Sequence, residues 1–167
     1  MLIGWSGHRP DLFRHPHRAR SRVEKLAEQI ARGEGGVEFV CGAQRGVDTW
    51  AASAAQRLGL PLHLVLPLGL ELFTNGWRAA DRRRLFGLVS AASSVIVIDP
   101  EGRLGPLAYD LRNEHVARRA QMLVVVWTGL RRGGTFHTMC AARRWATPVR
   151  DYSLEGTSRG PVLGRGL

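Results

Sequence analysis

The chain has 167 residues, 44% of them hydrophobic, and 24 basic against 14 acidic residues give it a formal net charge of +10. This length predicts one domain with its own core. No apolar run approaches the ~18 residues of a membrane span, so we expect a cytoplasmic protein without a membrane partner. The only lysine, Lys25, lies on a predicted surface helix, and no Gly-x-x-x-x-Gly-Lys loop is present. Schiff-base catalysis and P-loop ATP hydrolysis are therefore not expected. Cys41 and Cys140 lack metal-ligand spacing, so we expect no metal site.

Strand-like and helix-like segments alternate along the chain. Short runs rich in Val, Ile and Leu predict strands, and apolar residues every three or four positions predict helices. Because the two alternate, we expect an α/β three-layer sandwich over residues 1–152, with a mostly parallel central sheet of about six strands. Residues 153–167, rich in Gly, Ser and Arg, predict a loose tail. The predicted elements are, in chain order, a strand at 2–6, a loop at 10–16, a helix at 18–32, a strand at 37–41, a helix at 47–58, a strand at 62–66 that ends before Pro67, a helix at 77–92, a strand at 94–98, a loop at 99–107, a helix at 109–120, a strand at 122–127, a helix at 134–146 and a strand at 148–152.

Three glycine-rich turns, at residues 4–9, 42–48 and 131–135, each follow a predicted strand and precede a helix-like segment. Glycine lets the backbone turn sharply and approach a ligand closely. The N–H groups and positive dipole at the start of a helix favour phosphate, and ligands of parallel sheets bind at the carboxyl ends of the strands. The turns therefore predict a nucleotide-type ligand held by backbone N–H groups and arginines. The turn residues predicted to contact it are Ser6, Gly7, His8, Arg9, Gly42, Ala43, Gly46, Asp48, Gly133, Gly134 and Thr135.

Several of these side chains have a structural alternative to a role in binding. Thr135 either only caps a helix or also contacts phosphate. Asp48 either starts a helix, organises its glycine turn, or acts as a ribose acceptor or general base. Arg112 forms either a surface salt bridge or a fork-shaped contact to phosphate. Among the tryptophans, Trp77 is the best candidate to stack on a base.

The positive charge also has two explanations. It would attract nucleic acid or nucleotides. However, 23 of the 24 basic residues are arginine, and such a bias can reflect genome composition. Arg131 and Arg132 either screen an anionic ligand or only solvate a loop, and residues 82–84 predict a solvated helix face.

The turns and their spacing resemble the SMF/DprA–LOG (SLOG) superfamily, in particular its YspA/YpsA-like branch. The resemblance covers about residues 2–150, and its combination of motifs is specific. The residues that carry it are Ser6-Gly7-His8-Arg9-Pro10, Gly42-Ala43 with Gly46-Val47-Asp48-Thr49-Trp50-Ala51-Ala52, Leu64-Val65-Leu66-Pro67 with Trp77, Arg112-Asn113, and Gly133-Gly134-Thr135 with Thr138 and Ala141.

This resemblance implies a Rossmann-like sheet and a binding site for a nucleotide derivative of the NAD, ADP-ribose or nucleoside phosphate type, in which the protein acts as a sensor. In this group the Gly-Gly-Thr turn holds phosphate, and Arg112 and Asn113 would lie nearby. Two alternatives come with the superfamily. Lonely-Guy-type members are phosphoribohydrolases that cleave the N-glycosidic bond of nucleoside monophosphates, and DprA-type members bind single-stranded DNA.

The chain departs from the Lonely-Guy pattern, Pro-Gly-Gly-x-Gly-Thr-x-x-Glu with an Arg-Lys pair. Thr138 stands where that pattern has glutamate, and Asn113 follows Arg112 in place of lysine. A hydrolase would need another carboxylate, and Asp48 and Glu114 are the nearest candidates. Whether the chain is an enzyme stays open, and if it is one we expect an N-glycosidic hydrolase acting on a nucleotide. No cofactor is expected beyond the nucleotide-derived ligand, and a homodimer also stays open.

Overall fold

The computed structural model describes residues 1–33 and 35–156, and within them the six predicted strands and five predicted helices alternate, with one further short helix between the third strand and the fourth. A 3-10 turn at Pro10–Leu12 lies in the first long loop. The elements are β1 Leu2–Gly7, α1 Pro16–Gly33, β2 Glu38–Cys41, α2 Val47–Arg57, β3 Leu62–Leu68, α3 Leu70–Phe73, α4 Ala79–Ala91, β4 Ser94–Asp99, α5 Leu107–Arg119, β5 Met122–Trp127, α6 Gly134–Arg144 and β6 Val149–Ser153.

All six described strands belong to one sheet in the order β4-β3-β2-β1-β5-β6, and every pairing is parallel. The interior strand β5 is buried along its whole length, as its continuous apolar run predicts. The predicted Rossmann-like α/β fold is therefore confirmed.

Alternate strand residues pack on opposite faces of the sheet, which creates two helical layers. On one face, Ile3, Trp5 and Val124 join a core formed with α1, α2 and α4. On the other, Leu123 and Val125 pack with residues of α5 and α6. The alanines of α2 are almost completely buried, because small side chains let this helix approach the sheet closely.

The side of the sheet to which the chain adds its strands changes between β4 and β5. From β1 it builds outward through β2 and β3 to β4 at one edge, and α5 then leads it back to β5, on the other side of β1. In a parallel α/β sheet, the crevice at the carboxyl ends of the two strands flanking such a switch point is the usual place for a ligand. Here those strands are β1 and β5.

Three local expectations are wrong or incomplete. β3 does not end before Pro67 but continues to Leu68, which pairs with Asp99 of β4. The proline is tolerated because the pairing of β3 with β2 ends at Leu64, so no hydrogen bond from residue 67 to β2 is required. The short helix α3 is a second departure, since four residues are too few for a periodic pattern.

The third concerns the tail. Ser153 belongs to β6, the N–H of Leu154 donates to the carbonyl of Trp127, and Gly156 bridges to Phe13. Residues 153–156 are thus attached to the domain, and the rest of the predicted tail, 157–167, lies outside the described residues. In the described part of the chain, no helix is both long enough and apolar enough to cross a membrane.

Candidate functional site

A cavity of about 460 Å³ opens at the carboxyl ends of β1 and β5. It lies at the switch point of the sheet, and four segments separated in sequence meet there: the end of β1, the turn from β2 into α2, the first half of α5 and the start of α6. The residues that line it are Ser6, Gly7, His8, Arg9, Leu12, Gln44, Asp48, Pro106, Tyr109, Asp110, Arg112, Asn113, Arg132, Gly133, Gly134, Thr135 and His137.

The N-terminus of α6 forms one wall of this cavity. Gly133 precedes the helix with φ 78° and ψ −175°, a conformation that is essentially restricted to glycine. No side chain caps the helix, so the N–H groups of its first turn are not used by a cap. Asn113 Nδ2 donates to the carbonyl of Gly134 over 3.4 Å and fixes the start of α6 against α5. This end of α6 is arranged to accept an anion.

A buried ion pair forms the floor of the site. Arg112 Nη1 lies 3.5 Å from Asp48 Oδ2, both side chains are 7% exposed, and the same Nη1 donates to the carbonyl of Gly42 over 2.5 Å. The Gln44 N–H also donates to Asp48 Oδ2. Burial raises the pKa of Asp48 to about 6, an effect that the Arg112 guanidinium opposes, and burial lowers the pKa of Arg112. The carboxylate therefore offsets much of the charge that Arg112 brings to the cavity.

His8 is a buried neutral side chain at the end of β1. Its Nδ1 accepts the N–H of Thr128 over 3.3 Å and lies 3.1 Å from Thr128 Oγ1. Burial, with a smaller contribution from Arg9, lowers the pKa of His8 to about 4. Because Nδ1 is an acceptor, the proton of the neutral ring is on Nε2. His8 can thus donate one hydrogen bond to a ligand without adding charge to the site.

The rim carries the charges that are not buried. Arg9 and Arg132 lie on two sides of the cavity. Asp110 Oδ1 and His137 Nδ1 form a half-exposed pair 3.1 Å apart. Tyr109 supplies an aromatic surface, and the arrangement as a whole suits an elongated anion that has an apolar or aromatic part.

The glycines of the second turn lie behind the cavity, whereas Gln44 and Asp48 of the same turn line it. A Cβ on Gly42 would lie 1.5 Å from Arg112 Nη1, so this glycine makes room for the guanidinium. Gly46 has φ +99°, and a Cβ there would lie 2.4 Å from the carbonyl oxygen of His8. That carbonyl accepts the N–H of Val47, the first residue of α2. Gly42, Ala43 and Gly46 therefore position Arg112 and the end of β1 but do not line the cavity.

Two other sequence candidates lie elsewhere. Glu114 turns away from the cavity and bonds to Arg144 and Trp145, so the structure does not bring it near Asp48. Trp77 packs against Phe73 and under the guanidinium of Arg45, outside the lining residues. A Lonely-Guy-like pair of carboxylates is thus not assembled from Asp48 and Glu114.

The sequence prediction missed Leu12, Gln44, Pro106, Tyr109 and Asp110, all of which line the cavity. For Tyr109 a signal was present, since it precedes Arg112 and Asn113 by three and four positions and so shares their helix face. Leu12 and Pro106 belong to loops, whose approach to the cavity depends on the tertiary fold. The other predicted residues, from Ser6 to Arg9, Asp48, Arg112, Asn113 and 133–135, are brought together, and their roles in binding stay predictions.

Comparison with known proteins agrees with this architecture. The chain is 31% identical over 134 residues to UPF0398 protein BH1768 of Halalkalibacterium halodurans, a match that covers 75% of this chain and 70% of the relative. No family model matches the chain.

Solved structures with much lower sequence identity show the same fold. DNA processing protein A (DprA) from Streptococcus pneumoniae has a TM-score of 0.67 at 21% identity, over 89% of this chain and 48% of that one. DprA from Helicobacter pylori, which binds single-stranded DNA, has a TM-score of 0.67 at 15% identity, over 89% and 63%. The structure of TM1055 has a TM-score of 0.59 at 16% identity, over 89% and 71%. This chain spans about half the length of the Streptococcus DprA, and at these identities the likeness concerns the fold alone.

The sequence match to the Halalkalibacterium protein, together with the fold shared with these neighbours, places the chain in the SMF/DprA–LOG superfamily. Within it, the match to the Halalkalibacterium protein is close and long enough to show the family. The chain belongs to the UPF0398 family.

Proposed function

We propose that this protein binds a phosphate-containing nucleotide derivative, of the NAD, ADP-ribose or nucleoside phosphate type, in the cavity between β1, α5 and α6. The observation that carries the proposal is the uncapped N-terminus of α6, which opens beside Arg9 and Arg132 onto a 460 Å³ cavity at the switch point of the sheet. A helix N-terminus with unobstructed N–H groups and adjacent arginines matches the charge and geometry of phosphate.

The buried polar groups support the same ligand. Arg112 lines the cavity while buried, and its Nε has no partner among the described residues. The neutral His8 offers an Nε2–H donor for a ribose hydroxyl or a phosphate oxygen. Tyr109 and Leu12 provide apolar surface for the base. The cavity therefore offers a chemically matching surface to the phosphate, the ribose and the base of a nucleotide derivative.

The arrangement favours binding over glycosidic hydrolysis. Of the two carboxylates that the sequence offers for catalysis, Asp48 is held by Arg112 and by the N–H of Gln44, and Glu114 lies outside the cavity. A general base must be within hydrogen-bond reach of the proton that it removes. We therefore propose a sensing or carrier role rather than turnover.

The experiment is a thermal-shift and calorimetric titration with ADP-ribose, NAD and AMP. A ligand at one hundred times its Kd adds about 2.7 kcal/mol to the free energy of unfolding, which gives a clear rise in Tm. Arg132→Ala should weaken binding about tenfold, because it removes a charge-assisted contact.

Arg131→Ala is the matched control. It removes the same charge from the neighbouring residue, and the Arg131 side chain does not line the cavity. We expect an effect of less than about twofold, in keeping with the small contribution of an exposed charge. The absence of a shift with all three ligands at millimolar concentration, or an equal loss in both variants, would contradict the proposed site.

A further inference from the structure

A chain of hydrogen bonds links three side chains at the amino ends of the strands, the end of the sheet opposite the cavity. His63 Nδ1 lies 2.7 Å from Ser94 Oγ, and His63 Nε2 lies 2.7 Å from Glu38 Oε2. Glu38 begins β2, His63 is the second residue of β3, and Ser94 begins β4. Three neighbouring strands therefore bring a carboxylate, an imidazole and a hydroxyl into contact.

The register of the parallel strands explains why these side chains meet. His63 pairs with Val40 of β2 on one side and with Ser94 of β4 on the other. Because successive side chains of a strand alternate between the two faces, Glu38 lies on the same face as Val40. Val40 packs in the core formed with α5 and α6, so all three polar side chains lie on that face of the sheet.

The direction of each hydrogen bond follows from the chemistry of the partners. An ionised carboxylate only accepts, so the neutral imidazole of His63 carries its proton on Nε2 and donates it to Glu38. Nδ1 is then the acceptor, and the Ser94 hydroxyl donates to it. A hydroxyl on a base that a third group orients is the arrangement that activates a serine nucleophile, and it is recognised by roles rather than by sequence position.

The hydroxyl is accessible to a ligand. Ser94 is partly exposed, and it lies on β4, an edge strand of the described sheet. The outer side of an edge strand presents backbone N–H groups that no neighbouring strand uses, and such groups stabilise the oxyanion of a reacting carbonyl. Ile96 lies two residues further on the same face, is also partly exposed, and offers apolar surface. These surroundings suit the acyl part of a small, uncharged ester.

The adjacent serine shows what a purely structural hydroxyl does at this position. Ser93 Oγ accepts the N–H of Leu62 over 3.3 Å, a contact that fixes the start of β4 to β3. The Ser93 N–H also donates to the carbonyl of Leu62. The two strands are therefore already joined at this end without Ser94. Their attachment does not account for a base on the next hydroxyl and a carboxylate behind that base.

We propose that Ser94, His63 and Glu38 form a second site, which hydrolyses small carboxylic esters. Ser94 Oγ bonds to the carbonyl carbon and its proton moves to His63 Nδ1. The bond from that carbon to the alkoxy oxygen breaks, and the alcohol leaves with the proton of Nδ1. Water then attacks the acyl-serine and gives a proton to Nδ1, which returns it to Oγ as the carboxylic acid leaves. Glu38 is a positioning residue. This proposal goes beyond the nucleotide site and does not depend on it.

The test is covalent labelling with an alkyl fluorophosphonate, followed by mass spectrometry, together with hydrolysis of p-nitrophenyl acetate. Attack of Oγ on phosphorus expels fluoride, so we expect one adduct per chain, located on Ser94. Ser94→Ala should remove the adduct and the ester hydrolysis. His63→Ala should slow both by about 100-fold or more, in keeping with the usual contribution of a general base. Ser93→Ala is the matched control and should leave both rates unchanged, because the Ser93 hydroxyl contacts only the backbone of Leu62 among the described residues.

The positioning role of Glu38 has its own readout. Glu38→Gln keeps an oxygen that accepts the Nε2–H of His63, whereas Glu38→Ala leaves the imidazole without that partner. The labelling rate should therefore fall in the order wild type, Glu38→Gln, Glu38→Ala. Urea unfolding of each variant identifies the conditions in which it is fully folded, and labelling is compared under those conditions, so a slower rate is not caused by unfolding.

Three results would overturn the proposal. One is no fluorophosphonate adduct on the folded wild type. Another is an adduct that maps to a residue other than Ser94, and the third is an equal labelling rate in the wild type and His63→Ala. Each would leave the three side chains as a hydrogen-bonded ladder between strands. The response of Tm to ADP-ribose is measured separately, so that failure here and failure of the cavity site are distinguished.

Discussion

At the scale of single residues, the buried pair of Asp48 and Arg112 has the largest consequences. Arg112 comes from the middle of α5 and Asp48 from the first turn of α2, and the contact between them links the two helical layers at the floor of the cavity. The geometry of this pair also shows that the Arg112 guanidinium is not fully available to a phosphate. Part of its hydrogen-bonding capacity is used by Asp48 and by the Gly42 carbonyl.

We predict that Arg112→Ala destabilises the fold itself. Removing one member of a buried pair leaves the other charge without compensation, which typically costs about 3–5 kcal/mol. Arg144→Ala, which breaks an exposed pair with Glu114, should cost about 0–1 kcal/mol. Urea unfolding of both variants measures the difference, and similar values for the two would contradict the buried pair.

The raised pKa of Asp48 predicts a pH dependence with a defined sign. The folded-state value of about 6 lies above the unfolded value of about 4, so between these pH values the folded protein binds more protons. The contribution of Asp48 to stability is therefore present below about pH 4 and lost as the pH rises through 6. The free energy of unfolding of the wild type minus that of Asp48→Asn should fall from pH 4 to 7, in urea titrations at each pH. A difference that rises over this range would show that the pKa is depressed instead.

At the scale of elements, the start of α6 depends on one glycine more than on its neighbour. Gly133 has the positive φ, whereas Gly134 is the first helical residue, and a Cβ there would lie 3.6 Å from Asn113 Nδ2, an ordinary contact. The two glycines therefore have different roles. Gly133 forms the turn, and Gly134 leaves the N-terminus of the helix uncrowded.

Gly133→Ala should lower the free energy of unfolding by about 1–3 kcal/mol, the usual cost of a side chain in this backbone region, and it should weaken nucleotide binding because the turn would shift. Gly134→Ala should be close to neutral in stability. Paired urea unfolding and calorimetry distinguish the variants, and an equal effect of the two would place the strained residue elsewhere.

The helix α5 shows how one element serves both ends of the domain. Tyr109, Arg112 and Asn113 line the cavity, Val116 and Ala117 pack on the sheet, and Arg118 lies on the exposed last turn. Helical spacing separates these roles, because residues differ both in their position along the helix axis and in the face of the helix on which they lie.

At the scale of the whole molecule, the switch point places the cavity at the carboxyl ends of β1 and β5. Because α5 leads the chain from β4 at one edge back across the sheet to β5, its first half reaches this cavity.

The amino-acid sequence alone determines the alternation of strands and helices, the parallel α/β class, and the segments that meet at the site. These follow from local patterns: apolar runs for buried strands, glycine turns after them, and the Gly-Gly-Thr start of α6. The cavity-lining residues from Ser6 to Arg9 and from 133 to 135 could therefore be named before any contact was known.

Only the tertiary structure decides which of these residues face the cavity and which support others. The order of strands brings β5 beside β1, and this neighbour relation cannot be read from local periodicity because it links segments more than a hundred residues apart. The same packing turns Arg112 toward Asp48, sends Glu114 to the opposite side of α5, and leaves Gly42 to make room for a guanidinium. Side-chain direction depends on what each helix face meets across the core, and long-range packing supplies that information.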